Sequence, residues 1–333
     1  MAHRNYTPMD RRDFLKGAAA GLVLLPQADF GSFRLGRFEA PSQVALIRTT
    51  SRTDGVTRAM ALLNPTGMAG KSVVVKPNFN TAGAAPAGTD NETLMQLVRE
   101  LQERDAKSII LGESSGPPNT GEVMVEKGIP DMASDMGFSV VNYDEIPDSD
   151  WVLFQPPGSH WPEGFHLPRH AVEAEYNVST CCLKTHGSGG VFTMSMKLSV
   201  GLTPKPIRGG MHRSPDMRRM IAELNQGYRT DLIVMDGIKT FTDGGPSRGT
   251  LKDGNVVVAG TDRVAVDAVG LAILKELGSN DAIMGTPIFK QEQMARAVEV
   301  GLGISGPDQI DLVSDNDEGK AYVTKLQGIL AEG

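Results

Sequence analysis

The chain has 333 residues, 40% hydrophobic and 22% charged, an ordinary globular composition with enough apolar material for a sizeable core. Its net charge is −7 and aromatic residues make up 5%, so neither a basic face for duplex nucleic acid nor a stacking platform for single strands is expected. The only two cysteines, Cys181 and Cys182, are neighbours. Adjacent thiols do not staple a fold, and two are too few for an iron–sulfur cluster of the chain's own. They read as packing residues on a buried strand.

The N-terminal segment Arg11-Arg12-Asp13-Phe14-Leu15-Lys16 resembles the twin-arginine export signal. The apolar stretch behind it, Gly17 to Ala28, is too short and too rich in glycine to span a bilayer as a stable helix. The expectation is a signal peptide over residues 1–30, processed near residue 28 and recognised by the twin-arginine export machinery, with a periplasmic product. Residues 31–42 read as a linker because Gly31, Ser32, Gly36 and Pro41 interrupt any regular pattern.

An α/β domain is expected over 43–333. It opens with the apolar run Val44 to Ile47, followed by the β-branched strand Ser72 to Val75, which ends in Lys76-Pro77-Asn78. Asp90 or Asn91 caps a helix whose apolar residues Leu94, Leu97, Val98 and Leu101 share one face. The next strand, Ser108 to Leu111, leads into Gly112-Glu113-Ser114-Ser115-Gly116. Strand, helix, strand at this spacing is a parallel crossover. A helix after Thr120 and a strand near Phe138 to Val141 continue it. Residues 144–170 carry five prolines, two tryptophans and three histidines without periodicity, which reads as an irregular excursion or a small β insert. A strand over Val178 to Leu183 follows, then a helix over Gly190 to Val200, and Ser214-Pro215-Asp216 opens another helix. A strand over Asp231 to Met235, a glycine-rich loop over Asp236 to Gly249, a strand over Val256 to Ala259 and a helix from Arg263 to Leu277 come next. Two further helices and a strand, Ile310 to Val313, close a three-layer fold with a mainly parallel sheet and helices on both faces.

Open parallel sheets bind ligands at the carboxyl ends of their strands. Four polar strand ends therefore matter: Lys76 to Asn78, Glu113 to Gly116, Lys184-Thr185-His186 before Gly189 and Gly190, and Asp236 with the later Ser247. Glycines at Gly189 and Gly190 let backbone approach a ligand, and a helix start there favours an anion. Lys184 adds charge, and His186 has acid, base and metal-ligand chemistry near neutral pH. Asp236 and Asp267 are the oxygen donors read as divalent-cation ligands, with turn capping the alternative for Asp236. Asp262 reads as a helix cap, and Asp267, among Val264, Val266 and Val269, as a buried carboxylate in need of a partner.

These segments together resemble the bacterial and archaeal family known as domain of unknown function 362, in order over about residues 44–280. The strand into Lys76-Pro77-Asn78, the Gly112 to Gly116 turn, Lys184-Thr185-His186 with Lys197 beyond it, Asp236 to Ile238, Gly245 to Gly249 and Asp262 to Asp267 carry the resemblance. Many members have Lys-Asn where this chain has Lys197-Leu198. Some carry ferredoxin-type cysteine motifs that this chain lacks. The resemblance implies a shared site and supplies no reaction.

The expected function is an enzyme acting on a small anionic substrate by hydrolysis or group transfer. Lys76, Asn78, Ser114, Ser115, Gly189, Gly190, Lys197 and Ser247 would bind it. Lys184, His186 and Glu113 would be catalytic, and a divalent metal would sit on Asp236 and Asp267. An anion- or metal-binding module is the alternative, and a redox accessory protein using Cys181 and Cys182 is a third reading. No G-x-G-x-x-G follows a strand, so a dinucleotide fingerprint is absent.

Overall fold

The computed structural model describes residues 41–332. The export-signal segment and most of the linker lie outside these residues.

Twelve strands are present among the described residues, ten of them in one mixed sheet. They are β1 (Ser42–Arg48), β2 (Ser72–Lys76), β3 (Ser108–Glu113), β4 (Ser139–Asn142), β5 (Trp151–Phe154), β6 (Phe165–Pro168), β7 (Tyr176–His186), β8 (Val191–Thr193), β9 (Leu232–Gly244), β10 (Gly249–Asp253), β11 (Val256–Gly260) and β12 (Ile310–Val313). The main order is β12-β1-β11-β9-β7-β2-β3-β4, with β10 on β9 and β8 on β7. The run β9-β7-β2-β3-β4 is parallel throughout, and β11 is antiparallel to both β1 and β9. The α/β expectation with a mostly parallel sheet therefore holds.

The longer helices are α1 (Arg52–Leu63), α2 (Asn91–Glu103), α3 (Thr120–Glu126), α4 (Ile129–Met136), α5 (Lys205–Arg213), α6 (Met217–Leu224), α7 (Arg263–Leu277), α8 (Glu292–Glu299) and α9 (Asp317–Ala331). Side chains that alternate along each strand feed two cores, one on each face of the sheet. Val44, Leu46, Cys181, Leu183, Ile233, Met235, Val256 and Val258 pack with α7, α8 and α9. Ile47, Val73, Val75, Val178, Leu232, Val234, Val257 and Ala259 pack with α1 to α4. The expected insert is real: β5 and β6 form a separate antiparallel pair over a third core that includes Trp161, Phe165 and Leu167.

Three elements differ from expectation. No helix covers Gly190 to Val200; the chain there turns back as β8, with Lys184 opposite Thr193, and then makes a 3₁₀ segment over Met196–Leu202. The stretch Asp236 to Gly249 is not one loop, because β9 runs on through Gly237 to Gly244 before β10 returns along it. Gly237 tolerates this because its α-carbon lies against Val256 and Leu183, where a side chain would clash. The helix expected at Ser214-Pro215-Asp216 starts two residues later, at Met217 with Asp216 at its cap, because Ser214 ends the preceding helix α5.

Candidate functional site

Strands β2, β3 and β7 end side by side at Lys76, Glu113 and His186, and a cavity of about 550 Å³ opens over these ends. Its wall includes Asn78, Ser114 and Ser247 from the adjoining loops, Lys197 from the 3₁₀ segment, and Arg208 and His212 from α5.

At its floor Lys76 and Glu113 form a buried ion pair at 2.5 Å. Glu113 also accepts from the backbone N–H of Phe79 at 2.7 Å and of Ser114 at 2.8 Å. The Lys76 ammonium donates to the Pro77 carbonyl as well. Burial pushes the Lys76 ammonium down, against the pull of Glu113. Both groups are satisfied, so Glu113 is an anchor with little capacity to serve as a free acid or base. Gly201 packs on this pair so closely that a Cβ would lie 2.7 Å from the Lys76 nitrogen, which explains a glycine there.

Arg208 spends its donors on the loop that follows β3: Nη1 reaches the Ser115 carbonyl at 2.6 Å, Nη2 the Ser114 hydroxyl at 2.5 Å and Nε the Thr203 carbonyl at 3.1 Å. No carboxylate among the described residues pairs with it directly, so it leaves positive charge in the wall. Lys205 pairs with Asp144 at 2.6 Å and donates to the Pro118 carbonyl. Asn80 donates to Ser247 at 2.7 Å and holds that serine at the rim.

The two cavity histidines are fixed as opposite tautomers. The Gly190 N–H donates to His186 Nδ1 at 3.3 Å, so the proton of the neutral ring belongs on Nε2. His212 Nδ1 lies 2.8 Å from the Arg208 carbonyl, which only accepts, so Nδ1 carries the proton and Nε2 offers a lone pair. The ring centres are 6.2 Å apart. Burial, with Lys197 and His212 nearby, pushes His186 down to about 2, and burial also lowers His212. Both rings are thus neutral near pH 7.

Lys197 differs from every other cavity cation. It is buried and lines the cavity, and its ammonium meets no hydrogen-bond or ion-pair partner among the described residues. Burial, with Lys184 and Arg208, pushes it down to about 7. On residues of the same wall, Asn78 Nδ2 and Thr193 Oγ1 are closed off from solvent and have no partner among the described residues. An unpaired buried polar group costs roughly 1–3 kcal/mol, so the Lys197 amine, which opens on the cavity without a partner, points to an anionic ligand.

The structure brings together Lys76, Asn78, Glu113, Ser114, His186, Lys197 and Ser247. Lys184 does not line the cavity. Its fully buried ammonium is held by the carbonyls of Pro86, Ala87 and Pro246, so it ties two loops to β7. Lys184, His186 and Glu113 therefore do not form one catalytic group. Ser115, Gly189 and Gly190 also lie behind the wall: Ser115 contributes its carbonyl to Arg208, and Gly190 fixes the His186 ring.

The two carboxylates expected to bind metal are committed elsewhere, and neither lines the cavity. Asp236 accepts from Arg52 at 2.7 Å, Thr93 at 3.0 Å and the Ile238 N–H at 3.0 Å, which ties α1 and α2 to β9. Asp267 accepts from the N–H groups of Ser195 at 2.7 Å and Met196 at 3.0 Å, and so anchors the turn that presents Lys197. Burial pushes Asp267 up to about 7, opposed by these two N–H groups. No group of three or more metal-ligating side chains exists among the described residues. Cys181 and Cys182 are both fully buried and burial raises both, Cys182 to about 11, so they are packing residues rather than reactive thiols.

Arg208 and His212 lie on α5, a short helix whose sequence signal is weaker than that of the neighbouring α6 start. The signal was Pro206 in the first turn of α5 with His212 and Arg213 in its last, a helix bounded at both ends.

No helix among the described residues is long and apolar enough to cross a membrane. No curated protein matches the chain. Among solved structures it is similar to the lactate racemase apoprotein from Thermoanaerobacterium thermosaccharolyticum, with 14% identity and a TM-score of 0.45 over 87% of this chain and 86% of that one. The family described as Domain of unknown function (DUF362) matches residues 73–272, the span that contributes Lys76, Glu113, His186, Lys197, Arg208 and His212, and the chain belongs to that family.

Proposed function

We propose that the protein is an enzyme that binds a small anionic substrate in this cavity and acts on it by acid–base group transfer or hydrolysis. The observation that carries this reading is the unpartnered Lys197 amine in one wall with two neutral histidines of opposite tautomer. His186 Nε2–H is a hydrogen-bond donor for a developing negative charge, and His212 Nε2 is a proton acceptor. Lys197, poised near neutrality, can hold or release a proton at its Nζ. Arg208 biases the cavity toward anions. Asn78 and Thr193 line the same cavity. An anion-binding module is the second reading, favoured by the cationic wall of Lys197 and Arg208 alone.

Calorimetric titration of the purified protein with inorganic phosphate, acetate and pyruvate tests the binding half. Saturable binding of at least one anion is expected, weakened about tenfold in His186→Ala. Absence of saturable binding for all three would remove the reading. A screen of anionic esters and phosphoesters separates enzyme from binder, since an enzyme loses turnover in His212→Gln while anion affinity changes little. We further propose export to the periplasm on the twin-arginine segment, tested by fractionating cells that carry Arg11→Lys with Arg12→Lys. Retention of the variant in the cytoplasm is expected, and unchanged distribution would refute it.

A further inference from the structure

Four cationic side chains stand in or behind this wall with their partners assigned. Lys76 has Glu113, Lys205 has Asp144, Arg208 has the 114–115 loop and Thr203, and Lys184 has three carbonyls. Lys197 alone has none among the described residues, although it is buried and its turn is deliberately anchored through Asp267. A lysine used only to attract anions is better placed at the rim, fully hydrated. A buried amine with no partner, beside an imidazole, suits a nucleophile. Gly190 shows how tightly the two are set: a Cβ there would lie 2.8 Å from His186 Nδ1 and 3.0 Å from Lys197 Cε. A glycine at this position lets the amine and the imidazole share one wall.

We propose that Lys197 is the covalent nucleophile of this cavity and forms an imine with a small 2-oxo acid. This rests on the reading of the cavity as an anion site and specifies its substrate. The carbonyl carbon meets Lys197 Nζ, the carbonyl oxygen accepts from His186 Nε2–H, and the neighbouring carboxylate is drawn by the positive charge of Arg208 in the same wall. In the balanced step a C–N bond forms and the C–O bond breaks. The Lys197 ammonium and the oxo acid give a protonated imine and water, the oxygen leaving with two of the ammonium's three protons. No oxidant or reductant is needed. The lowered basicity of Lys197 supplies neutral amine near pH 7, as this addition requires.

The test treats the full chain with pyruvate, glyoxylate or 2-oxoglutarate in the presence of borohydride, which reduces an imine to a stable secondary amine, followed by intact mass and peptide mapping. Expected is one N-carboxyalkyl adduct at Lys197 with at least one of the three acids, exceeding any exposed lysine by about tenfold or more. It is lost in Lys197→Met, and lactate gives no adduct. Mapping in the wild type makes the outcome independent of whether the variant folds. Labelling spread evenly over exposed lysines would overturn the imine. Saturable pyruvate binding without any adduct would overturn it too and leave the anion site standing. Absence of both binding and adduct would remove both readings.

Discussion

The backbone N–H of Gly190 donates to Nδ1 of His186 and thereby decides what that histidine can do. With Nδ1 occupied as an acceptor, the free nitrogen carries a hydrogen and polarises a substrate oxygen instead of removing a proton. The base role belongs to His212, whose Nδ1 is spent on the Arg208 carbonyl. The ¹⁵N spectrum of His186 is expected to show the Nε2–H tautomer unchanged from pH 5 to pH 8, because burial and the nearby Lys197 hold the ring neutral. A midpoint for His186 between pH 6 and pH 7 would refute this assignment.

Lys184 anchors two loops near the site. Its ammonium donates to Pro86 at 2.7 Å, Ala87 at 2.9 Å and Pro246 at 3.0 Å, and no water reaches it. Lys184→Met leaves three carbonyls short of a donor and is expected to destabilise the protein by on the order of 3 kcal/mol. Proteolysis should then become easier at residues 81–88 and 245–249. Unchanged melting and proteolysis would show that Lys184 holds neither loop.

The parts of this site legible in the sequence are those where a strand ends abruptly in a polar residue. Lys76, Glu113 and His186 all follow β-branched or apolar runs, and parallel pairing brings such ends together. Legibility failed where local signal and tertiary pairing disagree. Gly189 and Val191 both adopt positive φ, which turns the chain back into β8 although the following residues pattern like a helix. The role of Asp267 was equally hidden: burial was visible in its valine neighbours, but its partners, the Ser195 and Met196 amides, lie far away in sequence. That anchored turn is what sets Lys197 in the cavity wall.

Asp236 and Asp267 give a direct test of the metal question. Each carboxylate is saturated by donors that also hold the fold. Asp267→Asn puts an amide N–H against a backbone N–H and is expected to cost about 1–2 kcal/mol. Asp236→Asn weakens the contact to Arg52 by a similar route. Elemental analysis of the natively purified protein and both variants should give the same metal content in all three. Loss of stoichiometric metal in either variant would restore the cation role for that aspartate.

Lys197 makes the stability of the protein depend on pH in a direction opposite to an ordinary surface lysine. Its folded value near 7 lies below the usual 10.5, so the folded state gives up the proton first. Below pH 7 both states hold the proton and the folded chain carries a buried, unpartnered charge. Between pH 7 and about pH 10.5 the unfolded chain binds more protons than the folded one, so stability rises with pH through that window. Lys197→Met removes the charge while filling nearly the same space. The variant is expected to be more stable than the wild type at pH 6, by on the order of 3 kcal/mol. The difference should shrink as pH climbs toward 10. Denaturant unfolding of both proteins at pH 6, 8 and 10 measures it. A gap that stays constant across the three values would mean that the Lys197 ammonium is solvated or paired, and would remove the ground for a neutral amine in the cavity.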